Sequence, residues 1–208
     1  VEGQKNRRVA GHDAKLLVRS GNLGAFLPSG SGPPGRANVA GMSTPAPPLP
    51  YKIATLVDLR DERGRVLLLR RAKAPNAGLC SPIGGKLEMA TGESPAQCAQ
   101  RETLEEAGLA LPIERFRLLG IISEKAYEGR SHWLIFYYLV RGPVHVDERH
   151  TPDGHLEWFD LNQFETLPLP QTDREIIWPL VRRTEPDGAP VFSVHIDCAG
   201  PEMTWREE

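Results

Sequence analysis

The chain has 208 residues, with 25 Lys and Arg against 27 Asp and Glu, and is 40% hydrophobic and 25% charged. These proportions describe one packed domain with room for a tail, and exclude a disordered or fibrous chain and a second large domain. A net charge of −2 provides no basic field for a nucleic-acid backbone, so nucleic acid is not an expected partner while a small phosphorylated ligand is.

Residues 1–50 stand apart. They hold eight Gly and seven Pro, one aromatic (Phe26), and six basic against two acidic residues, which predicts a mostly irregular segment. The chain opens on Val1, and Met42 directly precedes the first strand-like pattern, so Met42 is expected to be the natural start. A single domain is expected over 51–208. In it, Ile53–Leu59 and Arg65–Arg71 are strand-like runs separated by Asp61-Glu62-Arg63-Gly64, a composition suited to a tight antiparallel hairpin. The loop 74–85 follows. A helix is predicted from Pro95 to Ala107: Ser94 caps it, Pro95 suits its first position, Gln97 completes a capping box and Gly108 ends it. Beyond it come strand-like runs at 116–122, 133–140 and 156–159, a helix at 173–181 and a last strand at 191–196. Strands and helices alternate without strict βαβ regularity, which predicts an α/β fold with a mixed sheet flanked by helices.

Three cysteines, Cys80, Cys98 and Cys198, none in a CxxC pair, suggest neither a disulfide framework nor a structural zinc site. No apolar run approaches the roughly 20 residues of a bilayer span, and no apolar core follows a charged amino end. A cytoplasmic protein without a membrane partner is expected; the oligomeric state has no sequence signal.

Chemistry concentrates in residues 84–109. At about 100° per residue, Glu102, Glu105 and Glu106 share one arc of the predicted helix, and Ala96, Ala99, Thr103 and Ala107 a neighbouring one suited to packing on a sheet. Like charges three or four apart destabilise a helix by about 0.2–0.5 kcal/mol per pair. Arg101 is expected to neutralise one of them, whereas a hard divalent cation suits such oxygen ligands, Mg²⁺ commonly taking one or two carboxylates plus substrate phosphates. The pair Gly84 and Gly85 lets backbone approach a ligand closely.

This stretch resembles the Nudix hydrolase signature, G-x5-E-x7-R-E-U-x-E-E-x-G-U with U apolar. Glu93, Arg101, Glu102, Glu105, Glu106, Gly108 and Leu109 match in spacing. Seven residues rather than five separate Gly85 from Glu93, as if Ala90 and Thr91 were inserted, and Thr103 replaces an aliphatic residue. The resemblance implies an α/β/α sandwich around a mixed sheet and Mg²⁺- or Mn²⁺-dependent hydrolysis of a nucleoside diphosphate linked to a group X. By position it makes Glu102, Glu105 and Glu106 metal ligands or base, adds Gly84 as a metal contact, and has Arg101 orient the carboxylates and Glu93 support the loop. Family sites often recruit one more carboxylate, for which Asp153 is the first candidate and Glu148 the second, with Glu124 and Glu128 in a loop as alternatives.

The segment 156–180 resembles MutT-type enzymes that hydrolyse oxidised purine nucleoside triphosphates. That likeness makes Asp173 a candidate for the purine edge, alongside its ordinary role as a helix cap. The loop 76–82 is expected to line the nucleoside pocket, with Cys80 as a small apolar wall, and Gly85 and Lys86 are the further candidate substrate contacts. Trp133, Trp158 and Trp178 are expected in the core. The expected partner is a small nucleotide, preferably a purine triphosphate cleaved to monophosphate and pyrophosphate. Diadenosine polyphosphates are an alternative, because Tyr127 lies about 18 residues past the motif. A non-catalytic nucleotide sensor is another, disfavoured by the full set of glutamates.

Overall fold

The computed structural model describes Arg7–Arg8 and residues 48–208. The expectations of an irregular amino segment and of a start at Met42 fall largely outside the described residues. Among the described residues, ten strands occur in two sheets. The larger contains β1 (Arg7–Arg8), β2 (Tyr51–Asp58), β5 (Phe116–Tyr127), β6 (Ser131–Val140), β9 (Phe192–Asp197) and β10 (Thr204–Glu207), in the order β1-β10-β9-β5-β6-β2. The smaller contains β3 (Val66–Arg71), β4 (Cys80–Ser81), β7 (Arg149–Thr151) and β8 (Gly154–Phe159), in the order β4-β3-β8-β7. The larger sheet is mixed: β2 runs parallel to β6 and β5 parallel to β9, while β5–β6 and β9–β10 are antiparallel.

The helix α1 (Pro95–Ala107) has the predicted boundaries. Ser94 Oγ accepts from Gln97 N at 3.3 Å, Gln97 Oε1 accepts from Ser94 N at 2.9 Å, and Gly108 closes the helix at φ 73°. Cys98, Ala99, Thr103 and Ala107 form its buried face. Thr103, the residue out of pattern, satisfies its hydroxyl within the helix by donating to Ala99 O at 2.7 Å, which is how a polar group is tolerated there.

Two apolar clusters fill the interior. One joins α1 to the sheets through Val57, Leu59, Leu67, Leu69 and Tyr138. The other joins Val66, Leu68, Ile122 and Tyr137 to Ile177, Trp178 and Val181 of the late helix. Successive β3 residues point alternately into the two clusters, which is why Val66-Leu67-Leu68-Leu69 is apolar throughout rather than at every second position.

The predicted hairpin does not form. The turn at Asp61 is present, with Asp61 Oδ1 accepting from Arg63 N and Arg65 N at 2.9 and 2.8 Å. Antiparallel pairing stops at the Arg60–Val66 bridge and the 3.0 Å bond from Leu67 N to Leu59 O. From there β2 pairs with β6, and β3 enters the other sheet between β4 and β8. A turn sequence specifies reversal of the chain, whereas the ladder is decided by which faces can be buried.

Two further elements differ from expectation. The strand starting at Phe116 continues to Tyr127, with Ile122, Glu124 and Ala126 all buried, so Glu124 lies in a strand and not in a loop. The helix expected over 173–181 opens with a π-helical turn, Asp173–Ile177, and continues as α2 (Trp178–Thr184). Trp178 N bonds Asp173 O, five residues back, next to Pro179, which has no N–H to offer a regular ladder.

Candidate active site

The β4–α1 loop brings Gly84 and Gly85 against β2, with Val57 N bonded to Ile83 O and Thr55 N to Gly85 O, both at 2.8 Å. Neither glycine has room for a side chain. A Cβ on Gly84, at φ +145°, would meet Thr55 O at 2.1 Å, and one on Gly85 would meet Glu102 Oε1 at 2.0 Å. The pair therefore forms a narrow shelf on which Glu102 and Glu106 rest, and Gly84 N donates to Glu106 Oε2 at 2.8 Å.

Arg101 reaches further than expected. Its guanidinium grips Glu93 with two bonds of 2.8 and 3.1 Å, Glu102 Oε1 at 2.8 Å, Glu105 Oε2 at 3.0 Å and Lys86 O at 3.2 Å. The expectation that it serves one carboxylate is corrected: a planar fork with five N–H donors bridges several acceptors at once. The same contacts, with Glu93 Oε2 accepting from Glu88 N at 2.9 Å, tie the loop carrying the extra Ala90 and Thr91 to the helix. The two residues are taken up in an exposed turn between Glu88 and Gly92.

Glu106 is the carboxylate that Arg101 does not reach. Burial raises its pKa to about 7, opposed by the Gly84 N–H and reinforced by the charges of Glu102 and Asp153. Burial also raises Glu102, although Arg101 pulls it down. Both groups need positive charge to stay ionised together at neutral pH. Among the described residues no three His, Cys, Asp or Glu side chains converge as a ready-made cation cage. The donor set is nevertheless all oxygen, and the Cβ-free shelf brings backbone up to the two carboxylates, which fits a hard divalent cation sharing its ligands with substrate.

The candidates for an additional carboxylate scatter. Asp153 lies in the β7–β8 turn, half-exposed, with Lys73 Nζ at 3.2 Å; its charge is felt by Glu106. Glu148 Oε1 accepts from Trp158 N at 3.0 Å and so braces β8. Glu128 sits in the β5–β6 turn at φ 50°.

Beside the glycine shelf opens a pocket of about 160 Å³. Gly84, Gly85, Lys86 and Arg71 line it together with Ser81, Glu124, Asp173, Asn76, Tyr127 and Trp133. Lys86, Gly85 and Asp173 are thus gathered in one place. Cys80 is not: it is fully buried within the late-helix cluster, and Ser81, the next residue along β4, lines the pocket instead. The correction follows from strand alternation, which turns neighbours to opposite faces.

Asp173 is the first residue of the π turn, whose N-cap position, Thr172, makes no side-chain cap bond. Its buried carboxyl accepts from Thr172 Oγ1 at 3.4 Å, and burial raises its pKa to about 7. Glu124, only 4% exposed, is pushed up to about 8 by burial and then by the charge of Asp173. Trp178 is buried against Phe164 and Tyr137 as expected, and Trp158 anchors its indole on Val146 O at 2.9 Å. Trp133 lies on the pocket wall, with Lys52 Nζ 4.9 Å from its ring centre. Tyr127 donates to Asn76 Oδ1 at 2.6 Å, so its hydroxyl proton is already committed. The loop 76–82 does line the pocket as expected, through Asn76 and Ser81 rather than Cys80, whereas Glu124 and Trp133 as pocket residues were not evident from the sequence. The available signal was Glu124 itself, an acid in phase with Ile122 and Ala126 on the buried side of a strand.

The model of the NUDIX domain matches residues 50–180. Over 128 residues the chain is 29% identical to an oxidized purine nucleoside triphosphate hydrolase of Danio rerio, covering 61% of this chain and 76% of that protein. Over 116 residues it is 29% identical to the uncharacterized Nudix hydrolase YvcI of Bacillus subtilis, covering 54% and 69%. Among solved structures, the MutT protein of Bacillus halodurans superposes with a TM-score of 0.58 at 24% identity, over 76% of this chain and 97% of that one. At that identity the likeness is one of fold.

Proposed function

From the premise that this chain belongs to the Nudix family, hydrolases acting on pyrophosphate bonds, we propose that it cleaves a purine nucleoside triphosphate to the monophosphate and pyrophosphate. The observation that carries this reading is the continuity of the site. The shelf of Gly84 and Gly85, against which Glu102 and Glu106 rest, is also one wall of the pocket that holds Trp133 and Asp173. A nucleotide with its base against Trp133 and Asp173 has its phosphates beside Lys86, Arg71 and the carboxylates. The similarity to a hydrolase of oxidized purine nucleoside triphosphates supports a purine substrate, oxidised purines included.

Glu102 and Glu106, with the Gly84 carbonyl, are the residues to hold a divalent cation, Mg²⁺ or Mn²⁺. When bound there, the cation neutralises phosphate charge and makes water more acidic. Arg101 orders Glu102 and Glu105 through charge-assisted bonds, and Glu93 fixes Arg101 in turn. Glu105, half-exposed and tethered only by Arg101, is the carboxylate placed to accept the proton of the attacking water. Lys86 and Arg71 orient the phosphate oxygens.

The test is pyrophosphate release with Mg²⁺ across canonical and oxidised nucleoside triphosphates, ADP-ribose and diadenosine polyphosphates, with Glu106→Gln as reference. Turnover of purine triphosphates that falls about 10²-fold or more in the variant is expected. Turnover confined to dinucleotides, or equal in the two proteins, refutes the assignment.

A further inference from the structure

The smaller sheet carries a rung of polar side chains that the hydrolytic reading does not use. Cys80 of β4 lies opposite Arg70 of β3, Arg70 opposite His155 of β8, and His155 opposite His150 of β7. Residues directly opposite one another in a ladder project from the same face, so the four stand in line across all four strands. Cys80, at one end, is fully buried, and His150, at the other, is exposed. The His150 and His155 rings lie with centroids 4.1 Å apart and planes inclined at 36°.

The partners of His155 decide what this pair can do. Its Nε2 faces Glu157 Oε1 at 4.0 Å. Arg70 holds that carboxylate, with Nε 3.2 Å from Oε1 and Nη2 3.5 Å from Oε2. The other ring nitrogen, Nδ1, is buried without a hydrogen-bond partner among the described residues. A neutral imidazole has one N–H and one lone pair. Assigned from these partners, the N–H belongs on Nε2, toward the carboxylate, and the lone pair on Nδ1, where nothing in the protein uses it. A histidine with its N–H turned to a carboxylate and its second nitrogen available has the arrangement of a metal ligand. The second imidazole is the ring next to it, on an exposed side chain able to turn. Opposed positions in a ladder have Cβ atoms about 4.5–5.5 Å apart, which lets two imidazoles converge on one cation at a Zn–N distance of roughly 2.0–2.1 Å.

We propose that His150 and His155 form a second metal site, for an imidazole-preferring divalent cation of the Zn²⁺, Ni²⁺ and Cu²⁺ class, with Glu157 as the residue that positions His155. Ligand chemistry separates it from the carboxylate face of α1, because imidazole nitrogen suits these cations and carboxylate oxygen suits Mg²⁺ and Mn²⁺. Two protein nitrogens leave the remaining positions to water, in keeping with the absence of a three-residue cage among the described residues. The cation ties β7 to β8, and this hairpin is bonded to two parts of the candidate active site. Arg149, next to His150, donates from Nη2 to Glu106 O at 3.0 Å, and Asp153 O in the turn accepts from Ala72 N, beside Arg71 of the pocket, at 2.8 Å.

The experiment is calorimetric titration of the full chain with Ni²⁺ and Zn²⁺ in excess Mg²⁺. Wild type, Glu106→Gln, Glu157→Gln, His150→Asn, His155→Asn and the double histidine variant are compared, each checked for a native urea transition. Wild type and Glu106→Gln are expected to bind one equivalent that the double histidine variant lacks, and Ni²⁺ to raise the urea midpoint of both. Each single histidine variant is expected to lose at least about tenfold in affinity. Glu157→Gln is expected to weaken binding about tenfold with the stoichiometry kept, the effect of losing an outer carboxylate. No binding to wild type, binding lost in Glu106→Gln, or affinity unchanged in the folded histidine variants overturns the inference, and affinity unchanged in Glu157→Gln overturns the role given to that carboxylate. The readout needs no turnover, so a protein that cleaves no nucleotide refutes the hydrolytic reading and leaves this site standing.

Discussion

Replacing Gly85 with Ala separates what the glycine shelf does for folding from what it does for the site. The added methyl carbon would stand 2.0 Å from Glu102 Oε1 and 2.4 Å from its Cδ, so the carboxylate must swing off the shelf. The obstructing atoms are the end of a side chain, and the folding penalty is confined to the 2.8 Å Arg101–Glu102 bond. A charge-assisted bond contributes about 1.5–3 kcal/mol, and because Arg101 keeps its two-bond grip on Glu93, the lower end of that range applies. Activity falls much further, about 10²-fold or more in kcat, as when a positioned electrostatic group is removed from a transition state. The assay is triphosphate turnover together with urea unfolding on wild type, Gly85→Ala, Glu102→Ala and the double variant. With Glu102 truncated the clash is gone, so adding Gly85→Ala to Glu102→Ala changes neither measurement. Losses that simply add in the double variant, or a Gly85→Ala enzyme within about threefold of wild type, refute the idea that position 85 is kept empty for Glu102.

Gly84→Ala is expected to act on folding first, because its Cβ meets Thr55 O at 2.1 Å and its φ is +145°; strain and overpacking together predict about 3 kcal/mol or more, read as a lowered urea midpoint. Ser94→Ala removes the 3.3 Å cap bond and is expected to lower stability by about 1 kcal/mol with kcat unchanged. Asp173 and Glu124 have folded-state pKa values raised to about 7 and about 8, so between their unfolded values near 4 and those values the folded state binds more protons than the unfolded one. Their contribution to stability therefore falls as pH rises from about 4 to 8, with a slope of up to about 1.4 kcal/mol per pH unit for each proton. Urea unfolding at pH 5 and pH 8 should show the Glu124→Gln/Asp173→Asn protein losing less stability over that interval than wild type, and an identical loss in both contradicts the burial of these acids.

The elements legible in the sequence are those whose information is local. Ser94, Pro95, Gln97 and Gly108 mark α1 within one turn of each end, and the helix begins and stops where they predict. Apolar runs likewise locate the strands at 133–140 and 156–159 to within a few residues. Pairing is different. The turn at Asp61 forms as expected, yet β2 finds its partner in β6, with Tyr51 opposite His132, because Val66–Leu69 has two apolar faces to bury and one hairpin partner covers neither. The short strands β4 and β7, of two and three residues, carry too little pattern to be seen, and a π turn beside Pro179 is invisible to a 3.6-residue period.

The same division runs through the site. Arg101, Glu102, Glu105 and Glu106 lie within six residues of one helix, so their spacing alone places three carboxylates and their organising cation on one face, and Gly84 and Gly85 are read from their lack of a side chain. The pocket that meets this shelf draws Ser81 from the edge strand of one sheet, Glu124 from the centre of the other and Asp173 from the π turn. No spacing links these positions, and which of two neighbours faces the pocket, Ser81 or Cys80, turns on the phase of a two-residue strand. Chemistry common to a family is therefore carried by a compact stretch of chain, whereas recognition of one substrate is assembled by the fold. The pocket residues Ser81, Glu124 and Asp173 all lie outside the matching signature, and substitutions there are expected to change nucleotide binding while leaving the carboxylate face of α1 in place.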